Sequence, residues 1–135
     1  MESYTHKVNY YETDKMGIVH HSNYVRWLEE ARVVAMDKIG YPVSKLEQEN
    51  LFSPVLAYSV DIKHSTTFED LVQIIPKVKE YNGVRLEISY EIKLEDKLVA
   101  TATTKHCFIN EKGLPQRLNK ALPGLDKKLK EELVN

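Results

Sequence analysis

The feature that most restricts this chain is a change of hydrophobic period. Tyr24, Trp27, Leu28, Ala31, Val34, Ala35 and Ile39 recur at intervals of three and four, while Arg26, Glu29, Glu30 and Arg32 lie largely off that stripe. This spacing predicts a helix of about five turns, apolar over much of its circumference and therefore in need of a sheet that wraps it. Ser22 or Asn23 is placed to cap its first amides, and Gly40 followed by Pro42 ends it, since glycine accepts the left-handed position and proline cannot continue the ladder.

On both sides of that helix the period is two. Tyr4, His6, Val8 and Tyr10 alternate with Thr5, Lys7, Asn9 and Tyr11, which predicts a first strand with Tyr10 on its buried face. After Pro54 the same period marks Leu56 to Ile62, Val72 to Val78 and Val84 to Ile92, then a last strand from Leu98 to Ile109. Asn82-Gly83 suits a tight hairpin between two of these, and Pro76, lacking an amide proton, predicts an edge or a bulge. One strand, one long helix and a four-strand antiparallel meander make an α+β architecture in two layers, spanning residues 1–135 as a single domain. Leu125, Leu129 and Leu133, four apart in the 120–135 tail, predict a short amphipathic helix that docks or frays.

Composition removes several functional classes. Nineteen basic residues face 20 acidic ones for a net charge of -1, so no long-range field gathers nucleic acid or an anionic membrane. No apolar run approaches the length of a secretion signal core or a membrane span, which gives the expectation of a cytoplasmic protein. The single cysteine, Cys107, is expected to be a small buried residue. No glycine-rich nucleotide loop and no Gly-x-Ser-x-Gly elbow occurs, so any chemistry must come from acid, histidine and backbone. Adjacent side chains such as His20 and His21 point apart, and no metal site is expected.

The stretch YYETDKMGIVHHSNY, Tyr10 to Tyr24, carries a pattern Tyr-x-x-Thr-Asp-x-x-Gly-x-x-x-His-x-x-Tyr. It resembles the signature of the hotdog-fold acyl-CoA thioesterases, the family that includes 4-hydroxybenzoyl-CoA thioesterase and the short-chain acyl-CoA thioesterases associated with the Tol-Pal system. The resemblance extends through Trp27, Glu30, Ala31 and Arg32 to the final strand, covering about residues 4–119. It implies a hotdog fold, a curved antiparallel sheet around one central helix, and a hydrolase that releases free acid and coenzyme A. The catalytic acid then falls on Asp14, with Tyr10 and His21 in support.

Those assignments make chemical sense. A thioester yields when water or a carboxylate attacks its carbonyl carbon while donors hold the developing oxyanion. Asp14 serves as general base or as nucleophile, and the sequence leaves that open. Gly17 permits a tight turn, and the backbone at Val19, His20 and Asn23 lies at a helix start where amides are unsatisfied. His20 is expected in a pocket wall and His106 on a small-residue face with a backbone partner. The acyl group is expected along the helix near Tyr24, Trp27 and Tyr58, and Lys63, Lys77, Lys79 and Arg85 are basic residues able to reach coenzyme A phosphates.

No cofactor is expected, coenzyme A being part of the substrate. By the same resemblance the partner is a second copy, a homodimer paired again into a homotetramer, and a meander with free edges gives that a physical counterpart. The alternatives are a thioesterase for acyl carrier protein or a non-catalytic acyl-CoA binder. A hotdog dehydratase is weaker, because its histidine is placed differently.

Overall fold

The computed structural model describes residues 1–134. Five strands, β1 (Tyr4–Lys7), β2 (Val55–Ile62), β3 (Leu71–Tyr81), β4 (Arg85–Leu94) and β5 (Lys97–Cys107), form one sheet. The long helix α1 (Ser22–Lys38) lies on its inner face, with shorter helices α2 (Val43–Gln48), α3 (Leu118–Ala121) and α4 (Pro123–Val134) around it. This is the expected α+β arrangement.

The apolar stripe on α1 behaves as its spacing demands. Tyr24, Trp27, Leu28, Ala31 and Ala35 are all but inaccessible to solvent, and the first four share one core cluster with Val72, Ile74, Ile88, Ile92 and Ala100 from the sheet. The helix ends as anticipated. Gly40 takes φ 91, its amide reaches the Asp37 carbonyl at 3.0 Å, and the Tyr41 amide reaches back to Met36 at 3.0 Å. That pair of bonds satisfies carbonyls the last turn would otherwise leave open. The start differs from expectation: neither Ser22 nor Asn23 caps an amide, and the Asn23 side chain instead donates to the carbonyls of Glu12 and His20.

The sheet order is β1-β3-β4-β5-β2, with every pair antiparallel. Only β3, β4 and β5 form a meander. The expected fourth member, β2, is not beside β3 but at the far edge, paired with β5 from Val55↔His106 to Ile62↔Ala100. The reason lies in residues 63–70, which hold no tight-turn pair and cross the end of the sheet instead of folding back on β2. Edge position also explains why the face expected to be buried, Leu56, Tyr58 and Ile62, is exposed. Pro76 pairs with Tyr90 on β4, while β1 reaches only Ile74, so its missing amide proton falls where β3 has no strand on that side.

The first strand stops at Lys7, short of Tyr10, which opens a 3-10 turn (Tyr10–Glu12). At the other end, α4 docks: Leu125 and Leu129 are fully buried, and the Tyr81 hydroxyl donates to Asp126 Oδ1 at 2.5 Å. A methyl group at Gly124 would run into the Tyr41 hydroxyl, so the helix approaches there at glycine's closeness. Cys107 is half-buried rather than buried. Among the described residues no helix is long and apolar enough to cross a membrane.

Because Leu129 anchors α4 in the core, Leu129→Ala should lower the unfolding free energy by about 2–5 kcal/mol in a denaturant titration, with the secondary structure otherwise kept.

Candidate active site

The residues from Thr13 to Val19 form a small hairpin. Thr13 pairs with Val19, the Asp14 amide donates to Ile18 at 2.9 Å, and the Gly17 amide closes on the Asp14 carbonyl at 3.0 Å. Gly17 sits at φ 78 with open space around it, so glycine is needed there for backbone conformation rather than for room. Asp14 Oδ1 accepts from the Met16 amide at 2.8 Å, which fixes the carboxylate, and Oδ2 has no protein partner among the described residues.

The hairpin is clamped from two directions. The 63–70 connection holds one side: Val19 donates to the Thr66 carbonyl at 2.9 Å, and Thr67 Oγ1 donates to the Gly17 carbonyl at 2.7 Å. Glu12 holds the other, from beneath. Its side chain is 4 % exposed, and its Oε1 meets the Asn9 amide and His6 Nε2, both at 2.7 Å. Oε2 accepts from the Trp27 indole at 2.7 Å, and the Glu12 carbonyl receives the His20 amide at 2.8 Å and Asn23 Nδ2 at 2.9 Å. Burial pushes the Glu12 carboxyl up, but the Asn9 amide, His6 and Trp27 outweigh it and hold the group below its ordinary value. Close by, burial and the Glu30 carboxylate raise the Tyr4 hydroxyl to about 12.

A cleft of about 260 Å³ opens beside the hairpin, lined by Asp14, His21 and Tyr24 together with Ile62, Lys63 and His64. Val19 lines it too, so five of the residues picked out by sequence, Asp14, Val19, His21, Tyr24 and Lys63, are brought together. Tyr24 is otherwise buried, with its hydroxyl 3.0 Å from Thr66 Oγ1. Contrary to the expectation that they point apart, the His20 and His21 rings lie 4.2 Å from each other, tilted by 30°, and His20 Nδ1 lies 2.9 Å from Ser22 Oγ and accepts the Ser22 amide at 3.3 Å. The exposed His20 ring therefore caps the helix rather than walling the cleft.

Other expected residues lie elsewhere. Tyr10 leaves the buried face, is 75 % exposed and packs edge-on against Phe68, because the strand has ended before it. Trp27 is sealed in the core by its bond to Glu12 and contacts no cleft. Tyr58 borders a separate groove further along α1, and Arg85 a shallow depression on another part of the sheet with Lys79 and Lys105. His106 bonds to the Thr104 hydroxyl at 2.8 Å, and the backbone of Ser53 and Pro54 lies against its ring.

The expected oxyanion donors also change. The amides of Val19, His20 and Asn23 already reach the carbonyls of Thr66, Glu12 and His20. The His21 amide has no acceptor among the described residues, and it stands at the open N-terminal end of α1, where the aligned peptide dipoles favour negative charge. Sequence reasoning passed over Glu12 altogether. Asn9 and Glu12 do stand three apart, the spacing of a capping box, and that signal could have found it.

A family model described as the thioesterase-like superfamily matches residues 8–132. A protein of Aquifex aeolicus (strain VF5), provisionally named an esterase, is 37% identical over 106 residues, 78% of this chain and 83% of its own. The provisionally named acyl-CoA thioesterase YneP of Bacillus subtilis (strain 168) is 31% identical over 119 residues, 87% of this chain and 86% of its own. Among solved structures, a DHNA-CoA thioesterase from Staphylococcus aureus superposes with a TM-score of 0.91 at 29% identity, covering 96% of this chain and 88% of that one.

Both Glu12 oxygens receive donors, so an amide in its place would set one donor against another. Glu12→Gln should cost about 2–4 kcal/mol of stability at neutral pH. The carboxyl lies below its ordinary 4.5 in the fold, so its contribution is complete above that value and disappears as the pH falls through the folded-state pKa. The gap between parent and variant, measured by denaturation from neutral pH downward, should close on the acid side.

Proposed function

The chain belongs to the thioesterase-like superfamily and is a thioester hydrolase of hotdog fold, and from that premise we propose that it cleaves acyl-coenzyme A in the cleft between Asp14 and the start of α1. The observation that carries this reading is the meeting of two unengaged groups at one place. Asp14 Oδ2 and the His21 amide are both without protein partners among the described residues, on residues that line the same cleft.

In this reading the thioester oxygen accepts from the His21 amide at the positive end of α1. A tetrahedral oxyanion is then stabilised by a donor that needs no reorganisation. Asp14 Oδ2 takes a proton from the attacking water, or attacks the carbonyl carbon itself to give an anhydride that water then opens. Either route breaks the carbon–sulfur bond, leaves the acyl group as a free acid and returns a proton to the departing thiolate. The His21 imidazole, also facing the cleft, orients the water or meets the sulfur. Tyr24 and Ile62 form apolar wall, and Lys63 at the same cleft, paired with Asp61 at 3.0 Å, stands where coenzyme A phosphates would pass.

The working unit in this reading is a homodimer, paired again into a dimer of dimers. The support is the edge strand β2, whose Val55, Leu56, Tyr58 and Ile62 are exposed and which lacks a neighbour on its outer side among the described residues. Such an edge invites a second copy of itself. Light scattering should therefore return a multiple of the 15.7 kDa chain mass, and a monomer at working concentration would contradict the assembly.

For the chemistry, Asp14→Asn should fold and assemble normally yet lose roughly a hundred- to ten-thousand-fold in kcat/KM, read by thiol release across a panel of acyl-coenzyme A substrates. Retention of parental turnover would refute the mechanism.

A further inference from the structure

Beyond the Asp14 cleft, α1 and β2 bound a second, smaller groove of about 140 Å³. The helix sits close to β1 and β3, which leaves the β2 side of the inner sheet face less covered. The two elements run in opposite senses: His21 and Tyr24 face Ile62 in the cleft, while Val25, Leu28 and Arg32 face Val55 and Tyr58 in the groove. The cleft and the groove thus follow one another along the helix, from Asp14 toward Arg32.

The floor of that groove is polar, although the surrounding inner face is aliphatic. Tyr90, Thr104 and His106 are buried, and they form a string: Tyr90 Oη to Thr104 Oγ1 at 2.8 Å, then Thr104 Oγ1 to His106 Nε2 at 2.8 Å. Burial first, and then the Arg32 charge, pushes His106 down to about 4, so at neutral pH the imidazole is uncharged. These two bonds use two of the three protons the groups carry; His106 Nδ1 is buried away from the groove, with the backbone of Ser53 and Pro54 beside it and no well-aligned bond of its own. Arg32 borders the same groove, half-buried and in no ion pair among the described residues. The one opposing charge there, Glu29, is exposed to solvent, and Arg26 is tied to Asn23 Oδ1 at 3.1 Å.

An aliphatic chain end gains nothing from an unpaired guanidinium, whereas a carboxylate satisfies it. We propose that this groove holds the far end of the acyl group, and that Arg32 with the Tyr90–Thr104–His106 string selects acyl groups ending in a carboxylate. The substrates are then mono-coenzyme A thioesters of dicarboxylic acids. The inference rests on the thioesterase reading above. From His21 to Leu28, where the back-leaning Arg32 side chain reaches, α1 rises about 10 Å, which suits a chain of about eight to ten carbons.

The test compares kcat/KM for suberoyl- and sebacoyl-coenzyme A with octanoyl- and decanoyl-coenzyme A. The parent should favour the carboxylate member of each pair by about tenfold or more, the size of one charge-assisted hydrogen bond. Arg32→Met and, separately, the near-isosteric Thr104→Val should each bring that ratio toward one, chiefly by raising KM for the carboxylate substrates. A parent that treats both members alike, or a ratio that survives Arg32→Met, overturns the inference. If octanoyl-coenzyme A is still hydrolysed and Asp14→Asn abolishes this, the thioesterase reading stands without it. No turnover of any of the four by the parent overturns the inference, while turnover of other acyl-coenzyme A substrates that Asp14→Asn abolishes would leave the thioesterase reading in place.

Discussion

The site depends on one buried carboxylate that takes no part in the proposed chemistry. Glu12 gathers His6 from β1, Asn9 from the turn and Trp27 from the middle of α1 onto its two oxygens, and its carbonyl holds His20 and Asn23. Three separate pieces of chain are therefore fixed relative to each other two residues before Asp14. A buried charge is tolerated only when donors surround it, and once surrounded it specifies a single arrangement, because any shift would strip a donor away. The Asp14 hairpin inherits that rigidity from one side and the docking of Thr66 and Thr67 from the other.

Much of this was legible from period and spacing. The apolar stripe on α1, its glycine stop, the alternation in β3, β4 and β5, and the junction of Asp14, His21 and Tyr24 all follow from local pattern. What was not legible depends on distant pairing. Nothing in the residues of β2 says that it lies beside β5, since an edge strand and an interior one can share a sequence. Tyr10 was misplaced by extending a period of two past the point where Asn9 and Glu12 end the strand. The amides expected to hold an oxyanion are engaged for a similar reason: which amides at a helix start stay open is decided by carbonyls from residues 12 and 66, and sequence spacing does not reveal them.

Two polar constellations lie under the same helix, and their contrast is instructive. Around Glu12 the carboxylate oxygens are met on both sides, which is the signature of a structural hub. Tyr90, Thr104 and His106 instead line an open groove, and a charged Arg32 stands beside them in no ion pair among the described residues. An interior that leaves polar capacity unused beside an open groove is poorly explained by stability alone, since burying apolar groups there would avoid the cost.

The clamp between the Asp14 hairpin and residues 63–70 also bears on how the chain reaches its native state. Val19 meets Thr66 and Gly17 meets Thr67 across some fifty positions of sequence, and β2 must already have crossed to β5 for that connection to be in place. Contacts of such separation close late, after the local β3–β4 and β4–β5 hairpins. The hairpin that carries Asp14 should accordingly be among the last parts of the molecule to assemble, so recovery of turnover after dilution from denaturant would time the final topological step rather than the first collapse.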